Sequence, residues 1–233
     1  MTRRRLVVLS LAGAGLLAGA LVAALALTTG GSSKEAAAGP VGVSRIATML
    51  AGIPQHAEAL GSSKAPVTMI EFADPQCPYC AAWARSALPT IVQRYVRSGK
   101  VRILFNGMAF VGADSLTALR TALAAGRQDR FWNVIELLFE NQGTENTGWV
   151  TDSLLRSIGD AVPGLDAQKM LDERGSAAVD QAVARAEALA QEAGVNSTPT
   201  FAVGKTGGTL QIVTVTSLDP SGLTPSLDAA LAG

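Results

Sequence analysis

Two cysteines, Cys77 and Cys80, are the only thiols among 233 residues, and they are separated by Pro78 and Tyr79. Thiols with this spacing can form a small disulfide ring that opens and closes reversibly. If a helix begins at Cys77, its unpaired backbone N–H groups and its dipole stabilise the thiolate of that residue, which is the reactive species. The pattern therefore predicts a dithiol that exchanges disulfides with other molecules.

A zinc site and a structural disulfide are the alternative interpretations of this cysteine pair. Zinc needs about three to four protein ligands, whereas the sequence adds no further cysteine and only one histidine, the distant His56. A disulfide that closes so short a loop stabilises little, because the effect grows with loop length. Redox chemistry is the favoured interpretation, with no metal and no cofactor, and His56 is expected in a surface loop.

The charge balance argues against a nucleic-acid partner. The chain has 19 basic and 19 acidic residues, and no basic tract follows its first five positions. A nucleic-acid-binding surface normally shows as clustered positive charge. We therefore expect a protein partner instead.

The N-terminal segment predicts export. Residues 3–5 are arginines, and residues 6–27 form an apolar run of 22 residues. A bilayer-spanning helix needs about 20 apolar residues and a signal-peptide core about 7–15. The run favours a retained transmembrane or signal-anchor helix with a cytoplasmic N-terminus and an extracytoplasmic catalytic domain. Residues 24–26 have the small-x-small form of a cleavage site, so secretion after cleavage stays open.

The elements around the cysteines predict a βαβ unit. Residues 67–72 form an apolar run typical of a buried strand that leads into the dithiol. Residues 80–97 have helical periodicity, with a kink expected at Pro89, and residues 101–105 form a second strand. Before this unit we expect a flexible tether and short helix in residues 30–52 and a short edge strand at residues 53–55.

The remainder of the chain predicts a helical region followed by further strands. Residues 114–192 contain five segments of helical periodicity, with Asp114, Ser115 and Thr151 as candidate N-caps. Strands are expected at residues 200–203 and 209–216, with a closing helix at residues 223–231.

Two motifs together resemble the DsbA-like branch of the thioredoxin-fold thiol-disulfide oxidoreductases. The first runs from Glu71 to Cys80 and reads EFADPQCPYC; the second, from Val195 to Phe201, reads VNSTPTF. Pro199 follows Cys80 by 119 positions, which leaves room for a helical insertion. The resemblance implies an α/β thioredoxin fold over residues 53–233 with the insertion at about residues 113–193. Residues 1–29 would be the anchor and residues 30–52 the tether.

The resemblance also implies roles for individual residues. Pro199 would be a cis-proline whose loop, with Thr198, receives substrate beside the dithiol. The spacing alone equally allows a trans-proline opening a strand. Glu71 would carry protons to and from Cys80, although a strand-end glutamate facing solvent is the alternative. Cys77 would be the exposed, attacked cysteine and Cys80 the shielded one, with Pro78 and Tyr79 shaping the site.

The direction of disulfide exchange is less well determined by the sequence. An oxidase acting on cysteine-containing exported polypeptides, recycled by a membrane redox partner, is our first expectation. The alternative is a membrane-tethered reductase or isomerase, because Tyr79 and Thr198 both differ from the residues of the strongest oxidants of the family. A copper-handling protein is a remote alternative, since thiolates suit Cu(I). The methionines that could support it, Met69 and Met108, are expected in the core.

Overall fold

The computed structural model describes residues 39–233, which form a six-stranded mixed sheet surrounded by helices. The predicted membrane helix at residues 6–27 and nearly all of the predicted tether segment at residues 30–39 lie outside the described residues. Among residues 39–233, no helix combines the length and the apolar character that crossing a membrane requires.

The sheet has the spatial order β1-β2-β4-β3-β5-β6. β3 is parallel to β4 and antiparallel to β5, and each residue of β3 is buried. The strands of the described residues are β1 Gln55–His56, β2 Ala59–Leu60, β3 Val67–Ala73, β4 Val101–Gly107, β5 Thr200–Lys205 and β6 Gln211–Val213.

Helices pack against the sheet, and five of them follow one another in the sequence between β4 and β5. The helices of the described residues are α1 Val43–Leu50, α2 Pro78–Ser86, α3 Leu88–Ile91, α4 Ala113–Gly126, α5 Phe131–Glu140, α6 Asp152–Asp160, α7 Ala167–Glu173, α8 Ala177–Glu192 and α9 Thr224–Ala232. Helices α4 to α8 form the predicted insertion, and their bounds lie close to the periodic segments of the sequence.

The predicted βαβ unit is present and carries the dithiol. β3 ends at Ala73, the cysteine turn follows, and α2 and α3 return the chain to β4. The predicted kink occurs where α2 ends at Ser86 and α3 begins, with Pro89 near the start of α3. Proline lacks the N–H that a continuing helix would use. The segment Val92–Val96 then continues as a π-helix.

The structure corrects one of the predicted helix starts. Thr151 caps α6 as expected, because its side chain accepts a hydrogen bond from the N–H of Leu154. The candidates Asp114 and Ser115 do not cap α4, which already begins at Ala113. The Ser115 hydroxyl instead donates to Asp74, across the sheet–helix boundary.

The last strand is shorter than residues 209–216, the range that the sequence predicts. β6 covers only Gln211–Val213, and Val213 pairs with Phe201 near the start of β5. Beyond Thr200 the neighbouring chain turns into Pro199, which has no N–H to offer a ladder. The strand therefore ends where its partner ends.

Candidate active site

The dithiol lies where α2 begins, as the sequence predicts. Cys77 occupies the N-cap with an extended backbone, and Pro78 takes the first helical position. A proline is suited to that position because its missing N–H would have no helical partner. Cys80 then falls one turn into the helix, on its buried side.

Local hydrogen bonds stabilise the Cys77 thiolate. The pKa of Cys77 is lowered to about 6 from an ordinary value of 9.0. The largest cause is a hydrogen bond from the Cys80 thiol, followed by the opposing effect of burial. The Thr198 side chain and the backbone N–H groups of Cys80 and Tyr79 then lower the pKa further. At neutral pH, Cys77 is therefore mostly ionised, and the thiolate is nucleophilic.

The two cysteines differ in reactivity more than in exposure. The sequence predicts an exposed Cys77, but the residue is only 5% exposed, against 0% for Cys80. The reason is the loop before β5, since the Cys77 thiol lies 3.4 Å from the Thr198 carbonyl oxygen, to which it donates. The pKa of Cys80 is raised well above its ordinary value, first by burial and then by Cys77. Cys80 therefore holds its proton.

The Thr198–Pro199 peptide bond is cis, in the geometry that the resemblance implies. The bond immediately precedes β5, which pairs with β3, so the second motif reaches the first through the centre of the sheet. Thr198 and Pro199, although 121 and 122 positions after Cys77, therefore lie beside it. The loop that carries these residues covers one side of the Cys77 thiol.

Glu71 lies beneath the dithiol and not at the surface. Its side chain shares one face of the sheet with its register neighbours, Phe105 on β4 and Phe201 on β5. Trp83 of α2 packs on Phe201 with ring centroids 4.8 Å apart. Glu71 is 1% exposed, and neither of its carboxylate oxygens finds a hydrogen-bond partner within residues 39–233.

Burial brings the pKa of Glu71 close to neutral pH. Desolvation raises the pKa of Glu71 to about 8 from an ordinary value of 4.5. The charge of Glu71 in turn adds to the raised pKa of Cys80, after burial and Cys77. A general acid or base is most effective when its pKa lies near the working pH.

A buried polar network joins the redox turn to the insertion, and the sequence analysis missed it. Asp74 Oδ1 accepts hydrogen bonds from the Gln76 N–H at 2.8 Å and the Ser115 hydroxyl at 2.5 Å. Asp74 Oδ2 accepts one from the Val111 N–H at 3.1 Å. Polar residues next to a cysteine motif carry no periodic signal, so only the folded structure identifies these partners.

The loop after α5 completes this network. Gln76 Nε2 donates to Asn146 Oδ1 at 3.2 Å, and the Asn146 N–H donates back to Gln76 Oε1 at 2.8 Å. Gln142 Nε2 donates to the carbonyl oxygens of Pro75 at 2.8 Å and Cys77 at 3.2 Å. The backbone that presents Cys77 is thus fixed from the side of the insertion.

A second buried acid, Glu136, was also missed. It lies on α5 and is 2% exposed, within an otherwise mostly apolar helix. Burial, and then the charge of Glu71, raise its pKa well above the ordinary value. The available sequence signal was one glutamate in the run Phe131–Phe139, spaced with Trp132 and Phe139 on one helical face.

The other singled-out residues lie away from this chemistry or at its rim. The Tyr79 side chain is 65% exposed at the start of α2. His56 lies on the edge strand β1, 3.5 Å from a carboxylate oxygen of Asp129. Met69 is buried in the core, and Met108 packs against a smaller apolar cluster. Within residues 39–233, no three His, Cys, Asp or Glu side chains are grouped to hold a metal.

The pKa of Cys77 gives a first testable prediction. In the reduced protein, the thiolate absorbance in the ultraviolet should rise with a midpoint near pH 6, against the ordinary thiol value of 9.0. The change should vanish in Cys77→Ser and remain in a variant of the exposed His56. A single midpoint near 9 would show that the hydrogen bonds at the helix start do not stabilise the thiolate.

A mixed sheet with a dithiol at a helix start and a cis-proline opposite it defines a thiol-disulfide oxidoreductase. The thioredoxin family model matches residues 55–209, which is well over half of the chain. The chain therefore belongs to the thioredoxin family, within its DsbA-like branch.

Several similar proteins are named for disulfide bond formation. The probable disulfide bond formation protein D of Bacillus cereus is 30% identical over 149 residues, covering 63% of this chain and 69% of that protein. Disulfide bond formation protein D of Bacillus subtilis is 28% identical over 146 residues, covering 62% and 66%. The crystal structure of oxidised BdbD from Bacillus subtilis superposes with a TM-score of 0.67 at 24% identity, covering 78% and 98%.

Proposed function

We propose that this enzyme is an extracytoplasmic oxidase that introduces disulfides into exported polypeptides through Cys77 and Cys80. The observation that carries the proposal is the stabilised thiolate of Cys77, with its pKa of about 6. Stabilising the reduced form of a dithiol makes its disulfide a better oxidant. The Bacillus relatives are named disulfide bond formation proteins, which supports the oxidising direction.

The reaction begins at the oxidised enzyme. A substrate thiolate attacks Cys77 Sγ, the bond to Cys80 breaks, and Cys80 leaves as a thiolate. Because the pKa of Cys80 is raised well above that of Glu71, the Glu71 carboxylic acid gives its proton to this sulfur. The substrate's second thiolate then attacks its own bridged sulfur and releases Cys77 as a stabilised thiolate. The substrate leaves oxidised by two electrons, and the enzyme is reduced.

We assign the substrate wall to Thr198 and Pro199 and the outer rim to Tyr79. The Thr198 side chain also stabilises the Cys77 thiolate.

The domain arrangement is part of the proposal. Residues 1–29 would anchor the enzyme through a membrane helix, residues 30–52 would tether it, and residues 53–233 would carry the chemistry outside the cytoplasm. The apolar run at residues 6–27 after residues 3–5, all arginine, supports the orientation. A membrane redox partner would reoxidise the dithiol, and cleavage of the anchor would instead release the enzyme.

A membrane-tethered reductase or isomerase is the second candidate, and Tyr79 favours it. Glutaredoxins share the Cys-Pro-Tyr-Cys turn and have potentials of about −200 to −230 mV, against about −120 mV for DsbA. A tyrosine offers no imidazole to donate to a thiolate. The two candidates use the same residues and differ in the potential and in the recycling partner.

The redox state of the dithiol in cells tests the direction. Alkylation of acid-quenched cells, with the full-length chain expressed in an exporting bacterium, should find Cys77 and Cys80 mostly disulfide-bonded. The purified protein should oxidise a dithiol peptide at a rate that survives metal chelation, which a copper-handling protein would not do. A dithiol held mostly reduced in cells would support the reductase.

Replacing Tyr79 by histidine should make the enzyme more oxidising. A histidine at the start of α2 adds a donor, and in its charged form a positive charge, near the Cys77 thiolate. We expect a shift of about 30 mV or more toward positive potentials, equal to a tenfold change in the equilibrium with glutathione. Ile212→His, on the exposed edge strand β6, is the control for an added surface histidine. Equal potentials in both variants would show that Tyr79 does not set the potential.

A further inference from the structure

Glu136 lies on the same aromatic layer as Glu71. On α5 it is one turn from Trp132 and one turn from Phe139, so the three side chains share a helix face. The rings of Trp132 and Phe139 have centroids 5.9 and 6.4 Å from that of Phe105. Glu136 is therefore held over Phe105, the register neighbour of Glu71 on β4.

Electrostatic effects agree with this placement. After burial itself, the charge of Glu71 is the largest cause of the raised pKa of Glu136. The charge of Glu71 also raises the pKa of Cys80, although less than burial and Cys77 do. The strand register and the ring contacts give the order Cys80, Glu71, Glu136. Glu71 lies on β3, which leads into the cysteine turn, and α5 packs on Phe105, the neighbour of Glu71.

The path continues to the surface at the end of α5. Glu140 follows Glu136 by one turn and forms an ion pair with Arg45 of α1, while Arg85 Nε of α2 lies 3.4 Å from Glu140 Oε1. Both arginines are exposed in their side chains. The charged groups that act on Glu136 are Glu71 from β3, Glu140 from its own helix, Arg45 from α1 and Arg85 from α2.

We propose that Glu136 relays protons between Glu71 and the solvent at the Glu140–Arg85–Arg45 cluster. The proposal rests on the proposed role of Glu71. In the proposed relay, Glu136 contacts neither the substrate nor a cysteine, and it acts only through Glu71.

The proton balance of one oxidising step is simple. The Cys80 thiolate takes the proton of the Glu71 carboxylic acid and becomes a thiol. The Glu136 carboxylic acid restores the proton to Glu71, and a proton from solvent at Glu140 restores Glu136. One proton enters and stays on Cys80, and no electrons pass through the relay. In the reverse direction, each transfer runs backward and one proton leaves.

The relay would provide a proton path to Glu71, whose carboxyl is buried. Glu71 is enclosed by aromatic side chains, so bulk water reaches its carboxyl poorly. A carboxylate formed there is costly in an apolar site. Since two adjacent buried carboxylates repel each other, Glu136 is held protonated and ready to donate when Glu71 is charged.

Proton exchange at Glu71 tests the relay without using activity. Infrared spectroscopy of the reduced protein should resolve the C=O stretch of protonated buried glutamates, with Glu71→Gln assigning the Glu71 band. After transfer to heavy water, we expect Glu136→Gln to slow exchange of the Glu71 band by tenfold or more. The exposed Glu192→Gln on α8 is the matched control. Unchanged exchange in Glu136→Gln would overturn the proposal.

The rate of the Cys80 step provides a second measurement. With glutathione bound to Cys77, its release by Cys80 should be about tenfold slower in Glu136→Gln, below the roughly hundredfold expected for loss of the acid–base group itself. Glu136→Asp should restore part of the rate, which a merely structural role would not require. If Glu71→Gln leaves release unchanged, the role of Glu71 fails. If Glu71→Gln slows release and Glu136→Gln does not, only the relay fails.

Discussion

Cys77→Ala is expected to reduce disulfide exchange to the uncatalysed rate, whereas Cys80→Ala should stop the reaction after its first step. The physical reason is the difference between the two sulfurs, since Cys77 has a pKa of about 6 and Cys80 one well above 9.0. With Cys80 absent, the Cys77 thiolate can still attack a substrate disulfide, breaking the S–S bond, releasing one substrate thiolate and forming a mixed disulfide with the other sulfur, but no buried thiol can release that sulfur. Mixed disulfides should therefore accumulate in Cys80→Ala.

Non-reducing electrophoresis and mass spectrometry of the trapped adducts would measure this difference. Both variants should remain folded, because a small apolar side chain replaces a buried thiol at each site. Accumulation of mixed disulfides in Cys77→Ala, or equal accumulation in both variants, would reverse the assignment of the attacked cysteine. A double variant that still exchanges disulfides would remove the dithiol from the mechanism.

Glu71→Gln should slow the Cys80 step by roughly a hundredfold, the lower end of the range for a positioned acid or base. Glutamine keeps the shape of the side chain and removes its exchangeable proton. The first attack at the Cys77 thiolate should change much less, because that thiolate is stabilised by α2 and Thr198. Rapid-mixing measurements of glutathione attachment and release separate these steps. Equal slowing of both would argue for a general packing effect.

The same substitution should change how stability depends on pH. An acid whose pKa is higher in the folded protein, here about 8 against 4.5, takes up a proton on folding. Its favourable contribution is complete below pH 4.5 and is lost as pH rises to about 8. One such group contributes a slope of about 1.4 kcal/mol per pH unit between these values.

Urea unfolding of the reduced protein at several pH values between 5 and 8 would measure that slope. Glu71→Gln should reduce the loss of stability with rising pH by about this amount, and Glu136 should account for a further part. The control is Glu192→Gln, which lies at the exposed end of α8. A slope that is the same in Glu71→Gln and in the unmodified protein would mean that Glu71 is ionised throughout the range.

The parts of the fold that follow from local pattern were predictable. The apolar run before Asp74 gave β3, because a strand covered on both faces needs continuous apolar residues. The helical spacing of residues 80–97 predicted a helix after the cysteines, and Pro89 predicted its interruption. The helical insertion followed from repeated 3.6-residue spacing between glycine-rich breaks. The cis-proline required the family resemblance, since spacing alone allowed a trans bond.

The parts that depend on contacts between distant segments were not predictable. The near-burial of Cys77 comes from Thr198, which is 121 positions away in the sequence. Ser115 is a residue type that often caps helices, but its hydroxyl donates a hydrogen bond to the buried Asp74 instead. Glu136 could have been noticed as a lone acid on an apolar helical face, yet nothing in its own helix points to Glu71.

The cysteine turn cannot be separated from the helical insertion without losing hydrogen bonds. These bonds form the network of Asp74, Gln76, Ser115, Gln142 and Asn146. The segment from Asp74 to Cys77 receives hydrogen bonds from the insertion at each of its four residues. A chimera that carries only β3, the cysteine turn and α2 on a smaller protein would therefore contain both thiols. It would lack the hydrogen bonds that fix the backbone at Cys77. The insertion is a structural component of the redox centre, so a functional transfer of the cysteine turn to another protein requires the insertion as well.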